Sequence, residues 1–169
     1  MATTTRVSVE KYLRTSYSPD REYVDGEVLG RNVGELDHGS LQKAVLLYIA
    51  AREKKLGVFI IQEQRLQLNS QHYRAPDLMI LLGGKPEEQI ITRPPLVCIE
   101  VLSPEDRMSR MQKKIADYLA FGVRYVWVLD PKTKQAVSHT SDGIHPVAGD
   151  GVLRTVAPAI EIPLGEIFD

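Results

Sequence analysis

Apolar and polar positions along the chain resolve into a helix, a run of strands, a second helix and further strands. A short helix is predicted at Val7–Arg14, with Ser8 as a cap near its start. Asp25-Gly26, between β-prone residues of Glu22–Leu29, marks the turn of a hairpin. Leu41, Val45, Tyr48, Ile49 and Leu56 fall on one helical stripe, with Ser40 or Asp37 suited to its start and Gly57 to its stop. Val58–Gln62 is a continuous apolar strand, and Arg65–Asn69 alternates with period two. Strands follow at Pro76–Leu82, ended by Gly83-Gly84, and at Leu96–Leu102, between Pro94-Pro95 and Ser103-Pro104. A helix at Asp106–Phe121 closes at Gly122. Tyr125–Leu129 and Gln135–Thr140 are further strands, and the tail Val152–Asp169 reads as strand and loop. The order predicts one α/β domain over residues 1–169, a central mixed sheet flanked by helices with an N-terminal hairpin.

Two acids break the apolar pattern. Asp77 opens Leu78-Met79-Ile80-Leu81-Leu82, on one face with Met79 and Leu81, and Glu100 interrupts Leu96–Leu102 on one face with Cys98 and Leu102. An ionised carboxylate buried without a partner costs several kcal/mol, so such positions call for a paired charge. Taken alone, Asp77 is also readable as solvated strand-boundary punctuation, and Glu100 as half of a structural ion pair with an arginine. A divalent metal would answer both acids at once.

On the following helix Met111, Ile115, Tyr118 and Leu119 define the buried arc. Lys114 lies at its border beside Tyr118, with Arg107 and Arg110 on the same side and Lys113 pointing to solvent. Lys114 and the two arginines therefore form a candidate anion site, against the plainer reading of an ordinary charged face. Mg²⁺ is typically held by one or two carboxylates, and such an ion acidifies a bound water and neutralises charge on a phosphodiester. A nearby lysine would orient or deprotonate that water, or stabilise the transition state. Arg52 falls on the first helical stripe, which suits either a stem laid along apolar surface or a head directed at a phosphate. His38, just before Leu41, is a candidate cap or cleft residue.

Charge and composition narrow the classes. The net charge of −1, from 21 Lys plus Arg against 22 Asp plus Glu, counts against a protein that coats nucleic acid by its global field. Contact with a polyanion then needs a local patch or a bound metal. Scattered histidines and the single Cys98 argue against a zinc site, and neither a phosphate-binding Gly-rich loop nor a Gly-x-Ser-x-Gly elbow occurs. No run is long enough to span a membrane, Met1–Arg6 carries no apolar leader, and the lone cysteine suits a reducing cytoplasm.

Pro76-Asp77-Leu78-Met79-Ile80, Cys98-Ile99-Glu100-Val101-Leu102-Ser103-Pro104, Lys114-Ile115-Ala116-Asp117-Tyr118 and Gly122–Pro131 together resemble the bacterial Uma-two family of the PD-(D/E)XK, restriction endonuclease-like superfamily. Glu22–Glu27, His38 and Ile160–Phe168 are similar to it as well, so the resemblance spans nearly the whole chain. It implies an αβββαβ core, Asp77 and Glu100 as ligands of Mg²⁺ or Mn²⁺, and Lys114 as the catalytic lysine. The usual superfamily lysine lies two residues after the Glu, where this chain has Leu102, and the family supplies the amine from the next helix instead. Arg110 stands where similar sequences often carry an acid.

Three functions compete on this reading. The first is a metal-dependent DNA endonuclease, expected as a homodimer so that each subunit cuts one strand, with Arg52, Arg107, Arg110 and His38 as substrate contacts. The second is a catalytically degenerate nuclease-fold module that binds DNA or a protein partner. The third, a metal-free two-carboxylate glycosidase, is disfavoured by an aromatic content of only 7%, too little to line a sugar cleft.

Overall fold

The computed structural model describes residues 6–31, 35–147 and 151–168. The reading of the first six residues as leaderless, and the last residue of the tail, therefore fall wholly or partly outside the described residues. Helix α1 (Val9–Arg14) starts at Ser8, whose hydroxyl accepts the Lys11 N–H at 3.3 Å. Strands β1 (Glu22–Val24) and β2 (Glu27–Leu29) turn through Asp25 and Gly26, both at positive φ (47° and 93°), as a tight two-residue hairpin loop demands.

The expected long helix divides into α2 (Leu36–Ala50) and α3 (Glu53–Leu56), which Gly57 closes at φ 66°. Leu41, Val45 and Ile49 form its buried stripe. Asp37 and Ser40 do not cap it: they lie inside α2, whose N-cap position is Glu35. The apolar stripe marks only the buried turns, and the exposed first turn carries no such signal.

Strands β3 (Val58–Gln62), β4 (Leu66–Asn69), β5 (His72–Arg74), β6 (Leu78–Leu82) and β7 (Val97–Val101) follow. Helix α4 (Met108–Phe121) leads to β8 (Tyr125–Asp130), β9 (Gln135–Thr140), β10 (Gly143–Val147), β11 (Val152–Arg154) and β12 (Glu161–Pro163). The main sheet runs β10-β9-β8-β7-β6-β3; β7 and β8 are parallel across the α4 crossover, and the other pairs are antiparallel. The succession α2, β3, β6, β7, α4, β8 is the expected αβββαβ order. β4 and β5 are an excursion that joins the hairpin in a second sheet, β2-β1-β5-β4. Two strands had no sequence signal: β5 is only three residues long, and β10 is an exposed edge carrying Pro146, a residue confined to sheet edges.

Strand alternation sorts the core into two layers. Leu78, Ile80, Val97, Ile99 and Val101 pack with Leu41, Val45 and Ile49 of α2 and with Leu153, Ile162 and Leu164 near the C-terminus. Met79, Leu81 and Cys98 pack on the opposite face with Met111, Ile115 and Tyr118 of α4. By parity, Asp77 and Glu100 belong to the face that α4 covers. A third cluster, Tyr12, Tyr23 and Tyr73, ties α1 to the second sheet; the Tyr12 and Tyr23 rings stack at 5.0 Å and thereby seat β1. Trp127 is fully buried, as expected of a core residue. Among the described residues no helix is long and apolar enough to cross a membrane.

Candidate active site

The β6–β7 ladder pairs Leu78 with Ile99 and Met79 with Cys98. Asp77, just before β6, and Glu100, in β7, lie beyond the Leu78–Ile99 pair at the same end of that ladder. Both acids are buried, at 5% and 2% exposure. That excludes the solvated-boundary reading of Asp77. Beyond the ladder, the Val101 N–H donates to Asp77 Oδ2 at 2.8 Å.

Asp77 Oδ1 takes the Arg31 guanidinium at 2.6 Å, and Oδ2 lies 3.4 Å from His38 Nε2. Burial alone would raise this carboxyl; His38, Arg31 and the Val101 N–H outweigh it and hold it below its ordinary value. His38 is the third residue of α2, so it is a cleft residue and not a cap.

Glu100 is paired with a lysine rather than an arginine. Its Oε2 lies 3.1 Å from Lys114 Nζ, and its Oε1 accepts the Tyr118 hydroxyl at 2.7 Å. Lys114 and Tyr118 are one turn apart on the buried face of α4, so the helix presents both donors together. Burial pushes the Glu100 carboxyl up to about 7, against Lys114 and with the help of Asp77 and Glu22. Burial works against the Lys114 ammonium, but Glu100, Glu22 and Asp77 prevail and raise it above its usual range. Lys114 is therefore charged at neutral pH, which suits charge stabilisation and orientation and not proton abstraction.

Glu22, at the start of β1, is a site residue that pattern reasoning passed over. It is fully buried, with Oε1 3.5 Å from Lys114 Nζ and accepting the Ala75 N–H at 3.2 Å. Its Oε2 takes Arg74 Nη1 at 2.9 Å, and Arg74 reaches on to Asp117 Oδ2 at 2.6 Å. The available signal was the one that exposed Glu100, an acid inside a β-prone run. Arg31 had none, since its position is set by the chain path out of the hairpin.

A cavity of about 30 Å³, room for an ion or a water or two, is lined by Asp77, Glu100, Lys114, His38, Arg31, Arg110, Asp106 and Val101 among others. The Val101 side chain belongs to the opposite core layer, so its backbone faces the cavity. Arg110 hydrogen-bonds the Gly30 carbonyl, bridging α4 to the hairpin exit. It also borders a larger open groove of about 870 Å³ lined by Arg107, Lys113, Ser109, Glu105, Leu29 and Arg74. Lys113, read as merely solvent-facing, thus borders the same groove as Arg107. Arg52 does not join the site: it is exposed, its guanidinium stacks 3.8 Å above the Tyr48 ring, and it donates to the Tyr48 carbonyl.

Two carboxylates on one cavity are hard oxygen donors of the kind Mg²⁺ or Mn²⁺ accepts. Among the described residues no group of three or more His, Cys, Asp or Glu side chains forms a metal cluster, and Asp77 and Glu100 put two buried carboxylates on the cavity. That number is within what Mg²⁺ uses when water and substrate complete its shell.

The mixed sheet with its αβββαβ order and the acids at one end of the β6–β7 ladder define a restriction endonuclease-like fold. A crystal structure of "a putative nuclease belonging to DUF820 from Anabaena variabilis ATCC 29413" superposes with a TM-score of 0.84 at 18% identity, covering 96% of this chain and 97% of that one. The chain belongs to the Uma2 family, described as "Putative restriction endonuclease", whose model matches residues 9–163. The chain is also similar to part of a DrdV–DNA complex, with a TM-score of 0.44 at 15% identity, over 76% of this chain and 10% of that one. No curated protein matches the sequence.

Proposed function

We propose that this protein is a Mg²⁺- or Mn²⁺-dependent endodeoxyribonuclease that hydrolyses phosphodiester bonds. The observation that carries the reading is the two buried carboxylates Asp77 and Glu100, sharing one small cavity with the Lys114 ammonium. Asp77 and Glu100 would hold the cation. A bound divalent ion supplies Lewis acidity and a water acidified toward neutrality. Lys114 stays protonated and stabilises charge that develops on the phosphate. Tyr118 fixes Glu100, and His38 and the Val101 N–H fix Asp77.

The basic groove beside the cavity gives the polyanion a local landing site, which a chain of net charge −1 needs. Arg107, Arg110 and Lys113 meet phosphates there. One Asp77–Glu100–Lys114 set cuts one strand, so scission of a duplex calls for two copies of the chain.

One observation favours a second reading, a nuclease-fold binding module without catalysis. The Arg31 guanidinium already answers the Asp77 charge without any metal. A supercoiled plasmid incubated with purified protein and Mn²⁺ separates the two. Nicking that chelator abolishes and Asp77→Asn removes supports the nuclease. An intact plasmid overturns it in favour of the module, and full activity in Asp77→Asn overturns Asp77 as the residue that holds the metal.

A further inference from the structure

We infer that Glu22 is a positioning residue: its carboxylate shares the Lys114 ammonium and so keeps Glu100 able to hold a divalent cation. The inference rests on the metal-site reading above but not on turnover. Lys114 Nζ lies between two carboxylates, 3.1 Å from Glu100 Oε2 and 3.5 Å from Glu22 Oε1. An ammonium with Glu100 as its sole partner would form a closed ion pair, and a cation would have to break it. Sharing weakens the hold on Glu100, whose other oxygen already accepts the Tyr118 hydroxyl.

Glu22 holds its own place independently of Lys114. The Ala75 N–H and Arg74 Nη1 fix its two oxygens, and Arg74 is in turn anchored to Asp117 by Nε at 3.1 Å and Nη2 at 2.6 Å. Asp117 lies three residues after Lys114 on α4, so the anchor and the lysine ride on the same helix. Being fully buried, Glu22 touches no polymer substrate and acts only through its neighbours.

Mn²⁺ titration by calorimetry on the full chain tests this, since outer partners of metal ligands typically contribute about tenfold or more in affinity. Glu22→Gln is expected to weaken Mn²⁺ binding by about tenfold and, where the protein cleaves, to lower kcat with KM for DNA unchanged. In a Lys114→Met background the same substitution is expected to have no further effect. A loss that persists there belongs to the general field of the carboxylate and overturns the inference, as does wild-type affinity in Glu22→Gln. Glu22→Asp keeps the charge beside Arg74 while drawing it away from Lys114, and it runs the same cycle if the Gln variant does not fold. Wild-type protein that binds Mn²⁺ through Glu100 yet cuts no DNA would overturn the nuclease and leave the Glu22 role standing. Protein that binds no Mn²⁺ overturns both.

Discussion

Asp77 Oδ2 accepts the Val101 N–H at 2.8 Å, just beyond the Leu78–Ile99 end of the β6–β7 ladder. Val101 is the residue after Glu100, so this bond ties Asp77, which directly precedes β6, to the strand that carries the other acid.

Glu100→Gln separates chemistry from folding. The amide keeps an oxygen for Tyr118, and Lys114 keeps Glu22, so no buried charge is stranded. Cleavage is expected to fall by about a hundredfold or more, as a direct ligand should matter at least as much as its outer partners. The thermal midpoint is expected to move by only a few degrees, equivalent to about 1 kcal/mol. Plasmid nicking and a calorimetric melt measure the two; undiminished nicking would remove Glu100 from the proposed chemistry.

The groove predicts different behaviour for two arginines. Arg107→Ala should weaken oligonucleotide binding and reduce the slope of log K against log salt by about one. Arg52→Ala should change neither, because that guanidinium is stacked on Tyr48 away from the cavity. Filter binding across a salt series reads both. Equal losses would contradict the groove as the substrate path.

Arg74 is 2% exposed and lies between Glu22 and Asp117. Arg74→Met fills similar space but strands the fully buried Glu22 charge beside it. Breaking a buried pair in this way costs about 3–5 kcal/mol. Urea unfolding of the variant against wild type measures the loss, and a difference below about 1 kcal/mol would mean that Lys114 alone compensates Glu22.

Acidification is expected to act through Glu22. Burial would raise its carboxyl, but Lys114, Arg74 and the Ala75 N–H outweigh burial and hold it below the ordinary 4.5. Because the folded value lies below the unfolded one, the stabilisation is complete above 4.5 and is lost as pH falls through the folded value. Wild-type urea midpoints should therefore drop on the acid side of 4.5, and Glu22→Gln should show a shallower drop. Identical acid limbs would count against this charge as a stabilising one.

The αβββαβ order, the hairpin turn at Asp25-Gly26 and the face shared by Asp77 and Met79 were legible because periodicity and turn chemistry are local. Lys114, read at the border of its helical arc with Leu119 inside it, is itself buried beside Tyr118, while Leu119 is only partly buried. The start of α2 and the strands β5 and β10 were not legible, since short or exposed elements leave no apolar rhythm.

From the sequence alone followed the elements, the buried faces and two acids standing where an apolar run should exclude them. Tertiary structure alone decided which charge answers which. Asp77 meets Arg31 and His38, Glu100 meets Lys114 and Tyr118, and Lys114 is shared with Glu22 from a different sheet. Partner choice among buried charges depends on distances of a few ångströms between segments far apart in the chain. No local pattern of hydrophobic and polar residues encodes those distances.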